Sequence, residues 1–361
     1  MKSCLTIAAG ICVSALLFVP IMEVADTNEY DVLSTDPASG LYRYTPDSSF
    51  TTASDCYENE VTVNNLGFHG PPVSPEKGKD VFRIVVVGSS YVSAIQVPVA
   101  GMYSTLLQNE LNANVRRAYT YEVIPIAIGG QSRMLLDILY YLNYGSSRQP
   151  DLVIDIESDQ ELIDERTIDT SVLDSAGGIV HQAPKSGESP AVAWVRAVSR
   201  HSKFLVNLYN RFLVLKSNTS SFLAGPFAST APASPAPDAA TMRGSADAER
   251  ELWQSKQKML AFFAAQARRD GAQFVYATWS GPWAATSTAS QFPLHGRNIA
   301  EQGHFSSVDL VPFYRRAETA SGASGTYACD PHWNAAGNRF IADALYAYLA
   351  ARPGLLSRIA P

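Results

Sequence analysis

Near the C-terminal end of the chain an acid stands two residues before a histidine, in the stretch CDPHWNAAGNRFIADALYAYLA, Cys329 to Ala350. A carboxylate such as Asp330 can hold the tautomer of an imidazole and stabilise the imidazolium formed when His332 accepts a proton. The group served by such a pair is a nucleophile, most simply a serine hydroxyl. Serines suited to the task occur in GSSYV, Gly88 to Val92. There Gly88 permits a tight turn, and Ser89 and Ser90 follow at the start of a helix, where backbone N–H groups point outward.

These residues are some 240 positions apart, so a fold must bring them together. VFRIVVVGSS begins with a run of mostly β-branched residues, Phe82 to Val87, closed by Gly88. A continuous apolar strand of this kind suits a parallel sheet buried on both faces. YSTLLQNELNA reads as a helix and YEVIPIAIGG as a second strand. SRMLLDILYYLNYG reads as a second helix and PDLVIDI as a third strand. Further on, ERELWQSKQKMLAFFAAQARRDG reads as a long helix and AQFVYATW as a strand. VDLVPFY reads as a short strand or turn segment ahead of the final helix. Strands alternating with helices imply βαβ units with right-handed crossovers. In such a sheet ligands bind beyond the carboxyl ends of the strands. The loops GSSYV, IGGQS (Ile128 to Ser132) and IESDQ (Ile156 to Gln160) can therefore meet the Asp330–His332 loop over one edge.

With those blocks in view, the sequence resembles the SGNH hydrolase superfamily, also called GDSL-like esterases, over roughly residues 81–160 and 246–350. NNLGFHGP, ahead of the first strand, is similar to the arm of membrane-anchored members. The resemblance implies a three-layer α/β/α sandwich with a five-stranded parallel sheet, and ester hydrolysis or acyl transfer without a metal or other cofactor. It assigns the nucleophile to Ser90, the base to His332 and the orienting acid to Asp330. It assigns oxyanion donors to Gly130, beside Gly129, and to Ser158. Two blocks depart from the family pattern. Ser89 stands where the family has Asp, and Ser158 where it has Asn. Losing an amide donor costs on the order of 3 kcal/mol of transition-state stabilisation. Gln96 and Pro125 also replace a common Gly and Asn.

Each residue has a plain structural reading as well. Ser90 suits a helix N-cap, Asp330 before Pro331 a turn, Gly130 a turn, and Ser158 a strand end. His69, His181, His201, His295 and His304 lack metal-ligand spacing and read as surface or packing residues. Trp279, Trp283 and Phe292 follow a core strand and suit either core or the wall of a sugar or acyl pocket.

The 361 residues carry a net charge of −6 and 46% hydrophobic content. With no basic cluster, this argues against nucleic-acid binding. From Ser3 to Met22 the chain has no charge, a length that can span a bilayer. Lys2 before it and Glu23 and Asp26 after it place the rest on the exported side, periplasmic or extracellular. An uncleaved anchor and a cleaved signal both fit. Two of the four cysteines, Cys56 and Cys329, lie beyond this run and form a candidate disulfide in an exported chain.

The expected organisation is an anchor or signal at 1–24, an extended arm at 25–80, and an α/β domain from 81–160 and 246–361. A helical and Pro/Ala/Ser-rich insertion is expected at 161–245. The expected function is an exported serine ester hydrolase or O-acyltransferase, acting on acyl esters (acetyl among them) of glycans or lipids. The alternative is a degenerate domain of the same fold that binds a glycan or partner without turnover.

Overall fold

A computed structural model describes residues 29–115, 119–129, 134–159, 239–281 and 287–359. The run at 3–22, most of the expected insertion, Gly130, Trp283, His181 and His201 lie outside the described residues. No described helix is long and apolar enough to cross a membrane. The chain divides into two compact units. In the smaller one the described residues are a helical turn, Glu29–Val32, and the first residues of a helix, Ala239–Arg269. Everything below concerns the larger unit.

Two hairpins come first. Strands β1 (Leu33–Thr35) and β2 (Tyr42–Tyr44) pair antiparallel, as do β3 (Ser49–Ser54) and β4 (Tyr57–Thr62). The expected extended arm thus folds back on itself twice. In the second hairpin Ser54 pairs with Tyr57, leaving Asp55 and Cys56 as a two-residue tip.

Five parallel strands follow: β5 (Val81–Gly88), β6 (Thr120–Ile126), β7 (Leu152–Ser158), β8 (Gln273–Trp279) and β9 (Ser306–Asp309). Their spatial order is β6-β5-β7-β8-β9. Side chains alternate across the sheet. Phe82, Ile84 and Val86 share one core with Leu152, Ile154 and Ile156 of β7 and with Val275 and Ala277 of β8. Leu107 and Leu111 of helix α2 (Tyr103–Asn114) and Ile341 and Leu345 of helix α7 (Ala335–Ala350) cover that face. On the other face, Val85 and Ile126 approach Gly145. There Tyr141 packs on Phe263, which packs on Phe274, with ring centroids 5.2 and 4.9 Å apart. Phe263 belongs to helix α4 (Ala239–Arg269). The result is the three-layer α/β/α sandwich with five parallel strands.

Two elements differ from the sequence expectation. VDLVPFY is divided: β9 ends at Asp309, and helix α6 (Val311–Ser321) starts at once, with Pro312 in its first turn, where its missing N–H costs nothing. Helix α5 (Ser287–Gly303) carries Pro293 in its interior and was not expected. Helix α3 (Met134–Tyr140) continues as a single π-type turn at Tyr141–Gly145. Pro125 lies within β6, which is tolerable because β6 is an edge strand.

Candidate active site

The nucleophile turn is shaped by Gly88. Its φ is +152°, and a Cβ there would stand 2.4 Å from the Ile156 carbonyl oxygen and 2.5 Å from Val92 Cγ2. Only glycine lets the chain leave β5 this close to β7. Helix α1 (Ser90–Ser93) follows as one turn. Ser93 Oγ donates to Ser90 O at 2.9 Å. Ala94, at φ 46°, ends the turn in the left-handed region. Ser89 is buried, whereas Ser90 is partly exposed at the carboxyl edge of the sheet. Of the two serines, Ser90 is the one that meets the histidine.

The opposing loop is fixed from its own helix. Asn334 caps α7 by accepting from Gly337 N at 3.0 Å, and donates to Ser324 O and Thr326 O. Asn338 accepts from Tyr103 N at 3.0 Å and donates to Trp333 O at 3.1 Å. Gly337 is held against Gly325, whose carbonyl oxygen would lie 1.9 Å from an added Cβ. The WNAAGN stretch after His332 is therefore a set of ties that anchor this loop to the helix layer.

Between the two loops, His332 Nε2 lies 2.7 Å from Ser90 Oγ, and His332 Nδ1 is hydrogen-bonded to Asp330 Oδ1. The same carboxylate oxygen accepts the His332 backbone N–H at 2.8 Å. Tyr57 donates to the other, Asp330 Oδ2, at 3.2 Å. Burial alone would raise the Asp330 carboxyl. The side-chain and backbone hydrogen bonds from His332, its charge and the Tyr57 hydroxyl outweigh burial and hold the group below its ordinary value. An ionised Asp330 can only accept, so Nδ1 carries the proton of a neutral His332 and Nε2 presents a lone pair to Ser90. The Tyr91 ring packs on the imidazole at a centroid distance of 5.0 Å and on Trp333 at 4.9 Å. Trp279 lies behind them, 5.4 Å from Trp333.

The two expected oxyanion residues fare differently. Gly130 lies outside the described residues. Ser158 is buried at the end of β7, in register with Trp279 and two positions beyond Ile156, the partner of Gly88. That register puts Ser158 on the sheet face that carries Trp279. Phe292 and Trp279 are both buried, in keeping with core. Among the described residues, no group of three or more His, Cys, Asp or Glu converges as metal ligands.

The arm reaches the site through the expected disulfide and through hydrogen bonds the sequence did not signal. Cys56 at the hairpin tip is disulfide-bonded to Cys329, with Cα atoms 6.0 Å apart. Asn59 donates to the Ile95 and Val97 carbonyls at 2.8 and 3.0 Å, and His69 Nδ1 to the Ser93 carbonyl at 3.0 Å. Also unforeseen is a buried group under α4, where Lys256 pairs with Glu157 and Tyr276 donates to the same carboxylate.

Fold and site together define an α/β protein with a serine, a histidine and an aspartate in hydrogen-bonded sequence at the carboxyl edge of its sheet. No family model matches the chain, and no curated protein does. Among solved structures it is similar to TesA, at 15% identity over 75% of this chain and 98% of that one, TM-score 0.42. It is similar to an acetyl xylan esterase, AlAXEase, at 14% identity over 74% and 100%, TM-score 0.41. A third likeness is to a lipase/acylhydrolase from Enterococcus faecalis, at 9% identity over 75% and 96%, TM-score 0.39. A likeness at this level says nothing about substrate.

Proposed function

We propose that the protein is an SGNH-type serine ester hydrolase or O-acyltransferase, acting on acyl esters of glycans or lipids. The observation that carries the reading is the imidazole of His332, bonded on one side to Ser90 Oγ and on the other to Asp330. In the first half-reaction Ser90 Oγ attacks the ester carbonyl carbon. Its proton passes to His332 Nε2 and then to the leaving alcohol oxygen as the C–O bond breaks. Asp330 stays ionised and stabilises the imidazolium. The Ser90 N–H, with Gly130 N–H and the Ser158 hydroxyl, takes the oxyanion. In the second half-reaction water or a sugar hydroxyl gives its proton to His332 and attacks the acyl-serine carbonyl; the bond to Ser90 Oγ breaks and His332 returns the proton to that oxygen, which gives hydrolysis or transfer.

The uncharged run at 3–22 and the charges flanking it support an exported domain held at or released from a membrane. The Cys56–Cys329 disulfide supports an oxidising compartment for this part of the chain. Fluorophosphonate labelling of the purified full chain tests the catalytic reading. Labelling is expected in the native protein and absent in Ser90→Ala and His332→Ala. A native protein that labels no better than Ser90→Ala would leave a binding module as the function.

A further inference from the structure

The β3–β4 hairpin lies outside the α/β layers, yet its tip and the triad loop are joined at two successive residue pairs. Cys56 is bonded to Cys329, and the next residue on each side makes the next tie, Tyr57 Oη to Asp330 Oδ2 at 3.2 Å. The Tyr57 ring packs on Tyr327 at 4.9 Å, and Tyr327 in turn donates to the Gln96 carbonyl, just past the nucleophile turn, at 2.9 Å. His332 uses Asp330 Oδ1 twice, through Nδ1 and through its backbone N–H. Oδ2 is therefore the oxygen by which the carboxylate can be steered from outside.

We infer that Tyr57 is a positioning residue of this site. Its hydroxyl fixes the rotation of the Asp330 carboxylate about χ2, so that Oδ1 stays in line with His332 Nδ1, and the Cys56–Cys329 bridge fixes the two chain segments at which that contact is made. The inference rests on the reading of Ser90, His332 and Asp330 as an acyl-transfer site. A terminal sp³–sp² torsion such as χ2 of Asp is broad by itself, so an outside donor is what selects one orientation. A charged acceptor makes the hydrogen bond stronger than a neutral one. Burial first, then the Asp330 charge, pushes the Tyr57 phenol up to about 12, so at neutral pH the hydroxyl keeps its proton and donates to the ionised Asp330. Tyr57 touches no reacting atom. Its effect passes through Asp330 to the imidazole.

The test is Tyr57→Phe in the full chain, which keeps the ring on Tyr327 and removes only the donor. With a short-chain nitrophenyl ester, kcat should fall roughly 3- to 30-fold, the scale of one hydrogen bond to a charged group partly realised in the transition state, with KM unchanged. Fluorophosphonate labelling should slow by the same factor. The proton NMR resonance of His332 Nδ1–H, assigned by its loss in His332→Ala, should move upfield or broaden. A Cys56→Ser/Cys329→Ser double variant should lower kcat similarly, and adding Tyr57→Phe to it should lower it little further. An unchanged kcat together with an unchanged imidazole resonance in Tyr57→Phe would overturn the inference and leave the hairpin as packing alone. Should the native protein show neither labelling nor turnover, the acyl-transfer reading fails by itself. The imidazole resonance still decides whether Tyr57 steers Asp330.

Discussion

His69 ties the arm to the nucleophile turn, and the pH at which that tie fails can be calculated. The side chain is 1% exposed. Its Nδ1 faces the Ser93 carbonyl at 3.0 Å, and a carbonyl can only accept, so the native imidazole is the neutral Nδ1–H tautomer. Burial disfavours the imidazolium and lowers the group from 6.5 to about 4, against a smaller upward pull from the Ser93 and Ala94 carbonyls. Above pH 6.5 the residue is neutral in both folded and unfolded chains, so it costs nothing. As pH falls below 6.5 the unfolded chain binds a proton that the native one refuses until about pH 4. Stability is therefore lost across that window. The gap is about 2.5 in pH, and at about 1.4 kcal/mol for each the loss is roughly 3 kcal/mol by pH 4. The comparison is between the native protein and His69→Asn, whose amide can still donate to Ser93 O but does not titrate. Urea unfolding at pH 7.5, 6, 5 and 4 yields the stability difference at each pH, in which groups common to both proteins cancel. The native protein should be equal or better at pH 7.5 and should lose about 3 kcal/mol relative to His69→Asn by pH 4. Parallel curves for the two proteins over that range would refute the reasoning.

Two further outcomes follow from the geometry of the sheet edge. Gly88→Ala should destabilise the protein by roughly 3 kcal/mol or more, because its Cβ would meet the Ile156 carbonyl and Val92 at a φ that L-residues rarely adopt. Urea unfolding measures this, and a loss under about 1 kcal/mol would mean that β5 and β7 part easily. Ser158→Asn should restore an amide donor at the end of β7 and raise kcat on a nitrophenyl ester about 10- to 1000-fold with little change in KM, less if Asp159 crowds it. A kcat that stays level or falls would show that this strand end does not face the oxyanion.

What the sequence disclosed and what it hid divide along the range of the interactions involved. Strands β5, β6, β7 and β8 were legible because a parallel strand buried on both faces leaves an unbroken apolar run. The Asp330–His332 pair was legible because its contact spans two residues and needs no fold to form. Ser90 was legible at one remove, since a parallel sheet gathers its ligand-binding loops at one edge. Helix α5 escaped because Pro293 and a run of small polar residues at its start argue against a helix, and tertiary packing overrides both. The hairpins escaped for a related reason. β3 reads SFTTAS, whose serines and threonines are as common in turns as in strands, and only pairing with β4 decides between them. His69 and Tyr57 were hidden more deeply. No local pattern marks either, for each acts only once the arm is folded against the sheet edge, on a carbonyl in one case and a carboxylate in the other. Yet Tyr57 left one trace, since it follows a cysteine whose partner precedes Asp330. A disulfide fixes the neighbours of both cysteines within reach of each other. In an exported chain, the residues flanking a candidate bridge are thus the places to look for contacts that sequence periodicity cannot show.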